Sequence, residues 1–426
     1  MTHILDELHW RSLVAQSTDE DALRAALSAG PVTFYCGFDP TAPSLHVGSL
    51  VQILTMRRLQ QAGHHPLALV GGATGLIGDP KPTAERALHD RAVVADWVER
   101  IQGQIEPFLD FTGPNAARMV NNLDWTAPLS AIDFLRDVGR HFRVNRMIAK
   151  EAVSARLESR EGISFTEFSY QILQGMDYLE LYRRFGCTLQ TGGSDQWGNL
   201  TSGVDLVHRV EVRSVHAFTT PLVTKADGTK FGKSESGTVW LDPAMTSPYA
   251  MYQFWLNADD KDVPAWLRYF TFRSREETEE LVRVTEERPA ARVGQRALAE
   301  EVTSLVHGAD ECFRAMAASR ALFGHGALEE LDERTLAAAV AETGLVRIPV
   351  GDSLPSYVEL LAATGLADSR SAARRTLAEG GAYVNNRRLD PGTDPEAAPA
   401  RTDLLHGRWL VLRRGKRTVA GVEVAA

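Results

Sequence analysis

The run 32-VTFYCGFD-39, the proline-bearing turn 40-PTAPS-44, the apolar-periodic stretch Leu45 to Ala62 and the run 66-PLALVG-71 follow one another closely. The first run is β-branched and aromatic and ends in turn residues, which predicts a buried strand; the last predicts a second one. Leu45 to Ala62 carries the helical period between them. Strand, turn, helix, strand is a βαβ unit, which predicts an α/β fold with a Rossmann-like, doubly wound parallel sheet whose ligands sit beyond the carboxyl ends of the strands. Working outward, Ala117 to Asn121, Thr188 to Thr191 and Ala217 to Val223 read as further strands. The first thirty residues read as helices stopped by Gly30-Pro31.

Beyond about Lys225 the pattern changes. From Ser247 to about Phe323 it is helical throughout, with Trp255, Trp266, Leu267 and Phe270 spaced for a core. Between Gly324 and Ser356 the composition turns mixed, with Pro349, Gly351, Asp352 and Pro355 suggesting a linker. The last seventy or so residues open with the helix-like VELLAATGL and end with the strand-like WLVLRR. The expected organisation is an α/β domain over 1–225, a loop and helical domain over 226–323, a linker over 324–354 and a small α+β domain over 355–426.

At 426 residues, 44% hydrophobic and 24% charged, the chain has ordinary globular composition, and no apolar run is long enough to span a bilayer. No membrane partner is expected. The N-terminus MTHILDELHWR is acidic and lacks the pattern of a secretory signal, and three scattered cysteines fit a reducing compartment, so a cytoplasmic protein without a structural metal is expected. The formal charge is -9, yet the stretch from Pro355 onward holds eleven Lys/Arg against eight Asp/Glu. A basic tail on an acidic body is suited to a polyanion, although a merely solvated basic face gives the same balance.

Four stretches can carry chemistry. The first, 35-YCGFDPTAPSLHVGS-49, leaves a strand and enters a helix, where unpaired N–H groups and a partial positive charge face phosphate. His46 can add a hydrogen bond or a charge; alternatively, the stretch is a turn with a capping serine. The second, 224-TKADGTKFGKSESG-237, places Lys230 and Lys233 on a glycine-bearing loop able to close on a polyphosphate, although it is not a Walker loop. The third, 192-GGSDQWGN-199, lets a nucleotide approach closely, with Asp195 and Gln196 as hydrogen-bonding groups or Asp195 as a helix cap. The fourth, 168-FSYQILQGMDY-178, aligns Tyr170, Gln174 and Asp177 on one helix face, either solvated or turned towards a polar ligand.

Together these stretches resemble the motifs of a class I aminoacyl-tRNA synthetase: His46-Val47-Gly48-Ser49 matches the HIGH motif and Lys230-Phe231-Gly232-Lys233-Ser234 the KMSKS motif. With YCGFDPTAPSLH, ALVGGATGLIGDP, SFTEFSYQILQGMDYLELY and PLVTKADGTKFGKSESG, nearly the whole chain resembles the bacterial tyrosyl-tRNA synthetase family. The tail VELLAATGLADSRSAARRTLAEGGAYVNNRRL resembles an S4-like RNA-binding module.

The resemblance implies ATP-dependent activation of L-tyrosine to tyrosyl-adenylate, transfer to the 3′ end of tRNA(Tyr), Mg2+ arriving with ATP, and a homodimer. By the same resemblance Thr41, His46, Lys230, Lys233 and Ser234 face the phosphates, with Lys81 and Arg86 as loop candidates. Cys36, Gly37, Asp39, Ser49, Gly192 and Asp195 fall on the ATP side, Cys36 towards the ribose or simply as a small buried strand residue. Tyr35 and Asp177 resemble the pair that bonds the phenolic hydroxyl, Tyr170, Gln174 and Asp79 the ammonium site, and Gln196 the groups about the tyrosyl moiety. Three features depart from the family: Ser49 stands for the second histidine of HIGH, Phe231 and Gly232 stand for Met and Ser of KMSKS, and the loop 78-GDPKPTAER-86 is short and carries two prolines. A tryptophan-specific relative and an RNA-binding protein that has lost activation are the rival readings.

Overall fold

The computed structural model describes residues 3–81, 87–229, 231–234, 237–349, 351, 353–415 and 418–425, with backbone alone at 151–152 and 233–234. Its main sheet has six strands in the order β1-β6-β5-β2-β3-β4: β1 Gln16–Ser17, β2 Thr33–Phe38, β3 His65–Val70, β4 Arg118–Asn121, β5 Cys187–Gly193 and β6 His216–Thr220. All neighbours run parallel except the edge strand β1, which is antiparallel to β6. Strand β6 ends at Thr220, short of the expected Val223, because Pro221 has no N–H to give the ladder.

The alternation of β2 explains why helices cover both faces. Tyr35 joins Leu67, Leu69 and Val120 in a core with Ile172, Leu173, Met176 and Leu179 of the helix Phe165–Phe185. Cys36 points the other way, towards Gln52 of the helix Val47–Gln61. Ser164 caps the long helix by accepting the Glu167 N–H, and Asp19 caps Glu20–Ala29 through Ala22, where Leu23 and Leu27 face inward. The doubly wound sheet expected from the sequence is what the chain forms.

The chain forms two units, residues 1–242 with 261–280 and residues 243–260 with 281–426. Helix Val263–Phe270 belongs to the first, so the helical stretch after Ser247 is divided between the two. Arg11 and Arg58 hold the end of that helix by donating to the Thr271 carbonyl at 2.9 and 2.7 Å. In the second unit, helices Pro248–Leu256, Val293–His307 and Ala309–Leu322 precede a five-stranded sheet.

Two short strands of the first unit, β7 Lys233–Ser234 and β8 Gly237–Thr238, form a hairpin. The second unit's sheet runs β11-β10-β12-β13-β9, with β9 Leu345–Pro349, β10 Ala382–Val384, β11 Arg387–Arg388, β12 Trp409–Arg414 and β13 Thr418–Ala425. Residues 324–354, linker-like in composition, thus hold the helix Glu333–Ala341 and a strand that pairs in parallel with the last strand of the chain. Pro349 and Gly351 punctuate the end of β9, whose partner lies some seventy residues away, where composition carries no signal. Among the described residues no helix is long and apolar enough to cross a membrane.

Candidate active site

A cavity of about 480 Å3 opens at the carboxyl ends of β2 and β5, where a doubly wound sheet places its ligands. Tyr35, Cys36, Gly37 and Asp39 reach it from β2 and its exit; Thr41, His46 and Ser49 come from the following loop and helix start. Asp79 and Lys81 enter after β3, Tyr170, Gln174 and Asp177 from the helix Phe165–Phe185, and Gly192, Asp195 and Gln196 from the end of β5. Arg86 and Lys230 lie outside the described residues, and Lys233 and Ser234 are described only as backbone of β7.

At one wall Asp177 is buried, at 2% exposure, and both its oxygens are occupied. Trp125 Nε1–H donates to Oδ1 at 2.8 Å and Asn122 Nδ2–H to Oδ2 at 3.0 Å. Burial raises its pKa to about 7, with these two donors pulling it back. The Tyr35 hydroxyl is buried, with no hydrogen-bond partner among the described residues. Burial first, and then the nearby Asp177, raise its pKa well above the usual phenol value, so it is neutral. A neutral phenol and an acceptor carboxylate in one apolar recess suit a ligand hydroxyl.

A hydrogen-bonded chain runs from there. Asn122 also donates to Thr74 Oγ1 at 2.9 Å, Thr74 donates to Asp39 Oδ1 at 2.6 Å, and Tyr170 Oη donates to Asp39 Oδ2 at 2.7 Å. Gly71 leaves room for it, since a Cβ there would stand 2.1 Å from Asp39 Oδ1. Opposite, Asp79 accepts from Gln196 Nε2 at 3.0 Å and from Asn199 Nδ2 at 3.2 Å. Tyr170 and Asp177 are therefore buried rather than on a solvated face, and the Asp177 partners Asn122 and Trp125 are residues the sequence alone does not single out. Asn122 and Trp125 directly follow β4, and their place past a strand's carboxyl end is the one signal that points to them.

At the mouth, His46 rather than a serine caps the helix Val47–Gln61, its Nδ1 accepting the Gly48 N–H at 3.0 Å. Burial lowers its pKa, so the ring is neutral and Nε2–H remains a donor. Asp195 is not a helix cap: the following helix starts at Trp197, after a short turn at Ser194–Gln196.

The lysine-bearing loop is rooted beside His46. Val47 N donates to the Val239 carbonyl at 3.1 Å, Leu241 N to Leu45 at 2.8 Å, and Val239 N to Gly232 at 2.8 Å. Gly232 has a φ of 76°, and a Cβ there would lie 2.9 Å from Val47 Cγ2, so glycine answers both the backbone and the close approach. Phe231 packs at 5.0 Å from the Trp266 ring and 5.3 Å from Phe270. Aromatic packing thus fills the position where the KMSKS motif has methionine.

Such a cavity has room for a polar aromatic ligand beside a phosphate-bearing one, and comparison with known proteins gives the family. The family described as tRNA synthetases class I (W and Y) matches residues 27–324, and a tyrosine–tRNA ligase SYY-like C-terminal domain matches 343–420. A Streptomyces avermitilis protein named tyrosine–tRNA ligase is 70% identical over 425 residues, covering 100% of this chain and 99% of that protein. One of the same name from Acidothermus cellulolyticus is 65% identical over 429 residues, covering 100% of both. Among solved structures, a C-terminally truncated Aspergillus nidulans mitochondrial tyrosyl-tRNA synthetase superposes with TM-score 0.68 at 29% identity, over 75% of this chain and 94% of that one. With this fold, this cavity and relatives of that identity over its full length, the chain belongs to the class I tRNA synthetases, in their tyrosine–tRNA ligase branch.

Proposed function

We propose that the cavity described above is where the chain, an aminoacyl-tRNA ligase using tyrosine, ATP and tRNA, carries out both steps of its reaction. The tyrosine carboxylate attacks the α-phosphorus of ATP in line, the bond to the bridging oxygen breaks, and pyrophosphate leaves with the electron pair. A ribose hydroxyl at the 3′ end of tRNA(Tyr) then attacks the mixed anhydride and AMP departs. No enzyme nucleophile is needed, so the protein's share is positioning and stabilisation of charge as it grows.

The unpartnered, buried Tyr35 hydroxyl beside Asp177 carries the reading, because a buried polar group needs a partner and the phenolic hydroxyl of tyrosine supplies one. Asp79, Tyr170 and Gln174 receive the ammonium; the buried Gln174 Oε1, unpartnered as well, has an acceptor to offer it. Gln196 faces the tyrosyl group. Asp39, Gly192 and Asp195 line the adenosine side with Gly37, Cys36 and Ser49, while Thr41, His46 and Lys81 meet the phosphates. By the family motif Arg86, Lys230, Lys233 and Ser234 join them, and Mg2+ enters bound to ATP.

Residues 355–426 serve as the RNA-binding module and 226–323 as the loop and anticodon-side helical region of a cytoplasmic homodimer. Large apolar side chains left exposed between positions 132 and 165, including Ile132, Leu135, Val144 and Phe165, support a self-association face.

Steady-state pyrophosphate exchange tests the assignment. Asp79→Ala and Gln174→Ala should raise KM for tyrosine and leave that for ATP unchanged. His46→Ala should lower kcat about 10²–10³-fold, the usual worth of one aligned donor to growing charge. Equal effects of all three on both KM values would refute the division of the cavity.

A further inference from the structure

Lys150 ends the turn between helices Val144–Ile148 and Glu151–Glu158, and it is a cation that neither the reaction above nor the motifs use. Its carbon stem lies over Gly198, where a Cβ would stand 3.0 Å from Lys150 Cε, and its Nζ meets the Asn199 side-chain oxygen. Asn199 in turn gives its Nδ2 to Asp79 Oδ1 at 3.2 Å and to Gln196 Oε1 at 2.8 Å. Gln196, its oxygen now taken, gives its Nε2 to Asp79 Oδ2 at 3.0 Å and to Asp195 Oδ2 at 3.2 Å.

The direction of this relay is set by one fact: an ammonium group donates and never accepts. With Nζ fixed against Asn199, the amide must turn its oxygen to Lys150 and its N–H groups to Asp79 and Gln196. Were Asn199 reversed, its NH2 would face the ammonium and its oxygen the Asp79 carboxylate, two repulsive contacts in place of two bonds. Gln196 is then fixed as well, because its oxygen is needed for the Asn199 N–H. Both oxygens of Asp79 are thereby held by N–H donors, as a carboxylate awaiting a cation requires.

We propose that Lys150 is a positioning residue for the amino-acid site: through Asn199 it sets the sense of the amide relay that orients Asp79 towards the ammonium of the substrate. The inference rests on the assignment of Asp79 to that ammonium. Burial lowers the Lys150 pKa to about 8 while Asp79 holds it up, so the group pays for its place and is retained in charged form by the same carboxylate it orients. Neither Lys150 nor Asn199 is among the described residues lining the cavity, so both act through Asp79 and Gln196.

The test uses the full chain, with pyrophosphate exchange read against two competitive inhibitors: tyramine, which keeps the ammonium, and 3-(4-hydroxyphenyl)propanoate, which lacks it. Lys150→Met keeps the stem and removes the charge. Asn199→Asp keeps a partner for Lys150 but removes the N–H given to Asp79. Each should raise KM for tyrosine and Ki for tyramine about tenfold, as expected for a hydrogen bond to a charged group, and leave Ki for the propanoate and KM for ATP within about twofold. Parallel rises for both inhibitors would reduce Lys150 to a structural role and overturn the proposal. Unchanged exchange with a loss confined to transfer onto tRNA would overturn it in favour of a tRNA contact. Asp79→Asn separates the two layers: if it leaves Ki for tyramine unchanged, the ammonium assignment itself falls, whereas a large rise there with no effect of Lys150→Met removes only the positioning claim.

Discussion

Replacing Asp177 by asparagine changes one atom and the charge, and the two donors that hold the side chain set the cost. Both oxygens are acceptors in the native chain, from Trp125 Nε1 at 2.8 Å and Asn122 Nδ2 at 3.0 Å. An amide presents one NH2, so one of these donors faces another donor and loses its bond, at about 1–3 kcal/mol for a buried group left unsatisfied. The phenolic hydroxyl of tyrosine loses a charged acceptor, about 1.5–3 kcal/mol, which is roughly 10- to 150-fold in kcat/KM. Phenylalanine makes no such bond, so the ratio of kcat/KM for tyrosine over phenylalanine should fall by that factor.

The pH profile gives a second reading of the same carboxyl. With its pKa raised to about 7, the native enzyme should gain kcat/KM for tyrosine as pH rises through about 7, and Asp177→Asn should lose that step. Stability runs the other way. A folded-state pKa above the ordinary value of 3.8 means that proton uptake favours the folded chain, so this contribution is complete below about pH 4 and is lost as pH rises through about 7. Pyrophosphate exchange with both amino acids measures the ratio, and a ratio unchanged from the native value would refute the reasoning.

Tyr35→Phe removes a buried hydroxyl that has no partner among the described residues, so the Tm of the unliganded chain should rise while KM for tyrosine rises about 2- to 12-fold, the worth of a neutral hydrogen bond; a lower Tm contradicts this. Arg156 and Glu167 form an ion pair at 3.0 Å, each side chain 2% exposed, and Arg156 also donates to the Lys81 carbonyl at 3.3 Å. Arg156→Leu should therefore destabilise by about 3–5 kcal/mol in urea unfolding, and a loss below about 1 kcal/mol would show that the pair is dispensable. Truncation after residue 343 removes β9 together with its partner β13 and should abolish aminoacylation of tRNA while sparing pyrophosphate exchange; equal loss of both would make the tail structural.

What the sequence made legible is local. Tyr35, the turn to His46 and the βαβ unit lie within about forty residues, and Tyr170, Gln174 and Asp177 share one face of one helix, so period and turn chemistry sufficed to bring them together. Asn122 and Trp125 escaped because their partner Asp177 lies over fifty residues on, and no periodicity in either segment registers the other. Lys150 was missed because its partner Asn199 lies some fifty residues on, and also because a single lysine between short helices reads as solvated. The return of the helix Val263–Phe270 to the first unit depends on Arg11, Arg58 and Phe231 reaching it from far along the chain. Strand β9 looked like a linker because its ladder partner is the last strand of the protein.

The measurement that bears most directly on the whole account is exchange of labelled pyrophosphate into ATP, dependent on tyrosine, phenylalanine or tryptophan, with no tRNA present. Tyr35 and Asp177 as a hydroxyl-recognising pair, with Ser49 in place of the second motif histidine, predict exchange with tyrosine alone. Exchange supported by tryptophan, or by phenylalanine as well as by tyrosine, would contradict the site as described.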